Sequence, residues 1–218
     1  MGAVSVPGMT FAYLFVLDTL SDWEHGYLTP ELNTGRMFRA PGTSLPVRTV
    51  SIDGAPVTTL GGLRVTADLS LADLTPADAA VLLLPGADTW AEPRYRAVPA
   101  KAREFLAAGV PVGAICAATV ALANAGMLDA RPHTSNDLDA LRQFSPGYHG
   151  AEHYVDAPVV SDGDLITATG TAPLEFARAV LARLDVLSPE TLEAWYQLYK
   201  TSLPEYYFAM VDSLPQPA

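Results

Sequence analysis

Val110-Pro111-Val112-Gly113-Ala114-Ile115-Cys116-Ala117-Ala118-Thr119-Val120-Ala121-Leu122 runs from a short apolar segment into a helix-forming one with no polar break. Val110–Ile115 has the length and composition of a strand buried on both faces. The segment from Ala117 to about Ala125 has those of a helix, and Gly126 fits its C-cap. Cys116, the one cysteine of the chain, stands at the junction. A sharp strand–turn–helix needs small neighbours and exposes the side chain at its apex. Gly113, Ala114, Ala117 and Ala118 meet that need, which is the logic of a nucleophile elbow, although the second glycine of G-x-S-x-G is absent. Amides at a helix start favour a thiolate and can hold an oxyanion. The alternative for a lone thiol is an inert buried filler.

Working outward, short β-rich runs alternate with helical stretches. Phe11–Leu17, Pro46–Ile52 and Ala79–Leu84 read as core strands. Leu60–Leu71 holds a smaller alternating run. His153–Val160 and Leu165–Ala168 read as strands around the turn Ser161-Asp162-Gly163-Asp164. Helices are expected from Ser21 to about Arg36, with Ser21-Asp22-Trp23-Glu24 as a capping box and Pro30 interrupting. Others are expected over Tyr95–Ala108 with a Gly109 stop, Ala172–Leu184, Thr191–Lys200, and Glu205–Val211 after Pro204. No repeat, low-complexity tract or long linker divides the chain. The expectation is one α/β domain over 1–218, with 186–218 a C-terminal helical extension and a frayed tail. A mostly parallel sheet with helices on both faces follows. Ligands of such sheets lie beyond the carboxyl ends of the strands. That directs attention to Asp18–Glu24, Gly86–Trp90, Cys116 and Thr169–Thr171.

Composition narrows the function classes. Apolar residues make up 50% of the 218 and charged residues 17%, too apolar for a disordered chain. No apolar run approaches the ~20 residues of a membrane span, so no membrane partner is expected. Phe11–Leu17 is too short for a signal peptide and lacks a basic leader. Met1-Gly2 is no myristoylation site, since Val6 stands where Ser or Thr is required. Lys and Arg total 13 against 24 Asp and Glu, a net charge of −11. Such a surface repels phosphate backbones, so no nucleic-acid partner is expected, while a small-molecule substrate is compatible. One cysteine allows no internal disulfide, and a cytoplasmic location is the plain expectation.

Leu83-Leu84-Pro85-Gly86-Ala87 before a helix, then Gly113-Ala114-Ile115-Cys116-Ala117, then Asp162–Thr171 followed by Leu174-Glu175-Phe176-Ala177, together resemble the ThiJ/PfpI family of the class I glutamine-amidotransferase-like superfamily. The resemblance covers roughly residues 10 to 185. It implies a flavodoxin-like three-layer sandwich, a homodimer, and a cysteine nucleophile that works without a cofactor. Members include peptidases or amidases, glyoxalases and deglycases, isonitrile hydratases and redox-responsive proteins. By position, Ala87 and Ala117 would supply oxyanion-hole N–H groups. An acidic residue after the first strand would tune the thiol: Glu24 matches best, with Asp22 as the fallback. Held protonated, Glu24 would donate to the sulfur and bring the Cys116 pKa below the free value of ~8.5. Its structural alternative is the capping box. His133, in Arg131-Pro132-His133-Thr134-Ser135-Asn136, matches a segment where several members carry His. Pro132 favours an extended chain that returns toward the catalytic edge. His133 is then either a proton shuttle or a hydrogen-bonded structural residue.

The departures also carry information. Ala117 replaces the His that follows the nucleophile in peptidase members. Thr169-Gly170-Thr171 lacks the His–Glu pair of glutamine amidotransferases. Both argue against peptidase and amide-transfer activity. His149-Gly150-Ala151-Glu152-His153 fits H-x-x-E-H literally, but Pro146-Gly147 and Gly150 oppose the helix that motif needs, so no metal is expected. Gly61-Gly62 lacks phosphate-loop spacing. The aromatic stretch Trp195–Phe208 suits core or dimer packing, or a lid over the substrate. The resulting expectation is a cysteine-dependent hydrolase, hydratase or lyase acting on a small carbon–nitrogen or carbonyl substrate. The alternative is a non-enzymatic oxidation-sensing or protective protein using Cys116.

Overall fold

A computed structural model of the chain describes residues 10–215, so the readings made on Met1-Gly2 and on the tail from Gln216 lie outside the described residues. Strand β1 (Phe11–Phe15) shows why its run is apolar throughout. Tyr13, Phe15 and, just beyond it, Leu17 enter one core, while Ala12, Leu14 and Val16 enter another on the opposite face. Period-two alternation with both faces buried leaves no position for a polar residue.

Six more strands extend this sheet: β2 (Val47–Ser51), β5 (Leu69–Ser70), β6 (Ala79–Leu84), β7 (Val112–Ile115), β8 (Val159–Asp162) and β9 (Leu165–Ala168). The order is β5-β2-β1-β6-β7-β9-β8. All pairs are parallel except β8–β9, a hairpin turning at Gly163-Asp164. A separate antiparallel pair, β3 (Val57–Thr58) with β4 (Arg64–Val65), sits between β2 and β5 in sequence. On one face, α2 (Val98–Ala107) and α3 (Ala117–Asn124) bury Val98, Ala102, Phe105, Ala118 and Leu122. On the other, α1 (Thr29–Thr34), α5 (Pro173–Leu184) and α6 (Pro189–Thr201) bury Leu32, Phe176, Val180, Leu181 and Trp195. Two short helices remain, α4 (Leu138–Phe144) and α7 (Pro204–Asp212). This is the expected flavodoxin-like three-layer α/β sandwich.

Three local expectations need correction. The helix read over Ser21–Arg36 reduces to Thr29–Thr34, preceded by turns. Its capping box does not form, because the Glu24 carboxylate accepts from the Gly86 N–H while the Ser21 N–H donates to the Gly86 carbonyl at 2.9 Å. Pro30 therefore lies in a first helical turn, where its missing N–H costs nothing, instead of interrupting a helix. The strand read from His153 begins only at Val159. Before it, Ala151–His153 forms one 3-10 turn and Tyr154 bridges to His133. The expected run Leu60–Leu71 divides into β4 and the edge strand β5.

Within the aromatic C-terminal stretch, Trp195 is 1% exposed, whereas Tyr207 and Phe208 face outward. The Trp195 indole N–H donates to Glu31 Oε1 at 3.3 Å, and the buried Glu31 carboxylate is held bidentately by Arg36. A buried charge needs such pairing. Trp195→Ala should cost about 3–5 kcal/mol of stability through the cavity it leaves. Urea unfolding followed by circular dichroism measures it; a loss below about 1 kcal/mol would show that α6 adds little to the core.

Candidate active site

Cys116 ends β7 and caps α3 with φ 59° and ψ −129°, a conformation that L-residues adopt only under constraint. Such backbone strain costs on the order of 1–3 kcal/mol and persists where the surroundings over-determine it. Here every polar group of the Cys116 backbone is engaged. Its N–H donates to the Ala168 carbonyl at 3.0 Å, and its carbonyl accepts from the Thr119 N–H at 3.1 Å and the Thr119 hydroxyl at 2.6 Å. The Thr119 hydroxyl is itself 2.6 Å from Ser135 Oγ. The elbow turns the thiol out of the sheet at the carboxyl edges of β6, β7 and β9.

Three neighbours define the chemistry around the sulfur. Glu24 comes from the turn after β1, is 1% exposed, and its Oε2 accepts the Gly86 N–H at 2.5 Å. Its Oε1 is buried with no partner assigned among the described residues, and the carboxyl lies against the thiol. Asn136 Nδ2 donates to Cys116 Sγ at 3.2 Å, while its Oδ1 accepts the Gly170 N–H at 2.8 Å. The Ala117 N–H, first of α3, also faces the sulfur. Only glycine fits beside this cluster. A Cβ on Gly86 would lie 2.7 Å from both Cys116 Cβ and Glu24 Oε1, and one on Gly170 would lie 2.8 Å from Sγ. Ala87 is extended (φ −163°, ψ 156°) between Gly86, whose N–H Glu24 takes, and Asp88, whose N–H Thr19 takes.

Burial raises the Glu24 pKa from its ordinary 4.5 to about 7, against the opposing bonds from Gly86, Cys116 and Ser21. Burial, and then the Glu24 carboxylate beside it, pushes the Cys116 thiol up to about 11, against Asn136 and the Ala117 N–H. The thiol pKa below the free value, expected from the helix start and from Glu24 as a donor, is therefore not what this environment gives, since Glu24 itself raises it. Desolvation and the adjacent carboxylate outweigh the amide and helix-end contributions, which are about 0.3–1 kcal/mol for an exposed charge. At neutral pH the proton rests on sulfur and Glu24 is about half ionised.

Residues 11–183 match the family model described as the DJ-1/PfpI family. The chain belongs to the DJ-1/PfpI family. Two Bacillus subtilis relatives are similar over nearly their whole length. One, named uncharacterized protease YoaZ, is 46% identical over 93% of this chain and 96% of its own. The other, named uncharacterized protease YdeA, is 30% identical over 92% and 95%. Among solved structures, a thiJ/pfpI family protein from Bacillus anthracis superposes with a TM-score of 0.91 at 44% identity, covering 95% of this chain and 98% of that one. A DJ-1 superfamily protein from Agrobacterium tumefaciens gives 0.78 at 33% identity, covering 89% and 99%.

In this DJ-1/PfpI chain, Glu24 and not Asp22 is the acidic side chain at the thiol. Asp22 accepts the Gly61 N–H at 2.7 Å and secures the Gly61-Gly62 loop. His133 is not brought to Cys116. It is fully buried, with Nδ1 2.8 Å from the Arg131 carbonyl and Nε2 2.6 Å from the Tyr148 hydroxyl. Burial lowers its pKa, and both ring nitrogens are engaged away from the sulfur. The chain does return to the sheet edge that carries Cys116 after Pro132, with the Thr134 N–H on Thr167 Oγ1, but it delivers Asn136, three residues after His133. Sequence reasoning missed Asn136; its only signal was membership of that returning segment. His149 and His153 do not share an α-helix, since only Ala151–His153 forms a single 3-10 turn. Among the described residues no helix is long and apolar enough to cross a membrane.

Two outcomes follow from the geometry. Glu24→Gln removes the carboxylate that opposes thiol ionisation and should lower the Cys116 pKa, whereas Asn136→Ala removes a donor to sulfur and should raise it. Iodoacetamide alkylation rates against pH, read by intact mass, report both; shifts of the same sign would contradict the arrangement. Because the folded Glu24 pKa lies above the unfolded one, its contribution to stability is complete below pH 4.5 and is lost as pH rises through about 7. Relative to Glu24→Gln, wild type should lose about 3 kcal/mol between these limits. Equal pH profiles of urea unfolding for the two proteins would refute the buried titration.

Proposed function

We propose that this protein is a cysteine-dependent hydrolase, hydratase or lyase acting on a small carbon–nitrogen or carbonyl substrate, with Cys116 as nucleophile. The carrying observation is the strained Cys116 elbow with the buried Glu24 carboxyl against its thiol. A neutral thiol is a weak nucleophile, and a base beside it removes that obstacle. Glu24, with a pKa near 7, is matched to this task at neutral pH. Sγ attacks the electrophilic carbon as the thiol proton passes to Glu24. The electron pair displaced from the carbonyl moves to its oxygen, where the Ala117 and Ala87 N–H groups receive it. With an amide, the adduct then collapses: the carbon–nitrogen bond breaks and Glu24 returns its proton to the leaving nitrogen. Water attacks the thioester, gives its proton to Glu24, and the sulfur leaves to be reprotonated. With an isonitrile or an α-oxoaldehyde, the same addition of sulfur to carbon opens the reaction. His133 has no part in this scheme, since its nitrogens are committed elsewhere.

A panel of amides, isonitriles and methylglyoxal, assayed with wild type, Cys116→Ser and Glu24→Gln, tests the proposal. Turnover should rise with pH through about 7, vanish in Cys116→Ser, and fall by about 10²-fold or more in Glu24→Gln. Turnover retained in Cys116→Ser would overturn it. So would no turnover at all together with stoichiometric peroxide-driven addition of two oxygens to Cys116, which belongs to the oxidation-sensing alternative.

A further inference from the structure

A cavity of about 360 Å³ opens beside the elbow, between α3, α4 and the Asp88–Ala91 turn. Its near end is formed by Ala117 and Asn136, which both face the sulfur, and by Ala87, the residue after Gly86. Its walls are mainly apolar, with Trp90, Val120, Ala121, Leu141 and Phe144, and Ser135 and Asn124 are their polar members. Helix α3 explains the space. Ala117, Val120 and Ala121 follow the i, i+3, i+4 spacing of one helix face and look into the cavity, while Ala118, Leu122 and Ala123 are buried in the core. Asp88 is the one charged residue in the lining, and it is exposed. A cavity of this size and lining is typical of sites that bury most of a small ligand. Behind its elbow end, and outside the lining, the buried Glu24 carboxyl lies against the Cys116 thiol.

We infer that this cavity holds an uncharged apolar substituent, aliphatic or aromatic, carried on the electrophile that Cys116 attacks. The inference rests on the proposed role of Cys116 and adds the substrate class. An occupant of the cavity is continuous with the reacting carbon, because Ala117 and Asn136 border both the cavity and the sulfur. An anionic substituent is disfavoured, since the lining offers no cation and Asp88 repels it. Each methylene buried there is worth about fourfold in association. Burial against Trp90 and Phe144 therefore selects substrates with an apolar side over their truncated counterparts.

Affinity labelling tests this without any need for turnover. Iodoacetamide and its N-butyl, N-phenyl and N-carboxymethyl derivatives all form a carbon–sulfur bond with loss of iodide. Their rates at Cys116, each divided by the rate with glutathione, isolate the contribution of the cavity. The N-butyl and N-phenyl reagents should gain about tenfold or more over iodoacetamide, and the N-carboxymethyl reagent should gain nothing. Ala121→Leu, which fills the cavity, should cut the gain below about twofold. Phe144→Ala, at an exposed wall position, should reduce it as well and serves if the first variant fails to fold. Ratios that match glutathione for all four reagents would overturn the inference. A preserved preference with a silent substrate panel would retain the cavity and remove the enzymatic proposal instead. If Cys116 resists every reagent, acetanilide titrated into ¹⁵N-labelled Cys116→Ser decides the matter. Shifts at the Val120, Ala121 and Phe144 amides that Ala121→Leu abolishes support the cavity, and their absence refutes it.

Discussion

The site depends on how the Cys116 backbone is held. A non-glycine residue at φ 59° would relax if its neighbours allowed it, and three hydrogen bonds prevent that. One reaches across to the end of β9, and two come from the first turn of α3. The strand pairing and the helix start are thus tied at a single residue. Its side chain has nowhere to go but the space bounded by Gly86 and Gly170. A Cβ at Gly86 would clash with Cys116 Cβ and the Glu24 carboxyl, and one at Gly170 with Cys116 Sγ and Cβ. The arrangement therefore needs backbone strain at one residue and missing side chains at two others.

Electrostatics at this point turns on burial more than on the helix. An amide at the start of α3 and the Asn136 side chain both favour a thiolate. Against them stand desolvation of the sulfur and a carboxylate in contact with it. The latter prevail because a charge withdrawn from water loses far more than one or two weak donors return. The result is a pair that holds its proton tightly, with Glu24 displaced upward into the neutral range. Gly170 links the pair to the surface: its N–H goes to Asn136 and its carbonyl accepts the exposed Trp23 indole at 3.1 Å.

His133 and Asn136 illustrate how two positions in one loop acquire different fates. The loop after Pro132 passes along β9, pairs with Tyr154, and turns into α4 at Asp137. His133 faces the interior, where edge-on contacts with Tyr148 and Tyr154 and two hydrogen bonds settle its ring. Asn136 lies where the loop comes level with the elbow. Nothing in residue type marked the amide over the imidazole as the partner of the sulfur.

The sequence by itself determined the layered architecture. Apolar runs such as Phe11–Leu17 and Ala79–Leu84 have the length and composition of strands covered on both faces, and the small residues around Cys116 suit a tight strand-to-helix turn. These are local consequences of side-chain size and periodicity. Tertiary structure decided what each candidate side chain does. Ser21–Glu24 has the composition of a capping box, but the Gly86 loop, 62 residues away, offers Glu24 a backbone N–H inside a dry pocket, and the helix start is surrendered. Glu24 becomes a group titrating near 7 only because folding removes its water. Asn136 meets the sulfur, and His133 does not, because contacts across the sheet edge set the depth and rotation of their loop. Burial and long-range hydrogen bonding arise from the whole fold, and no window of sequence contains them.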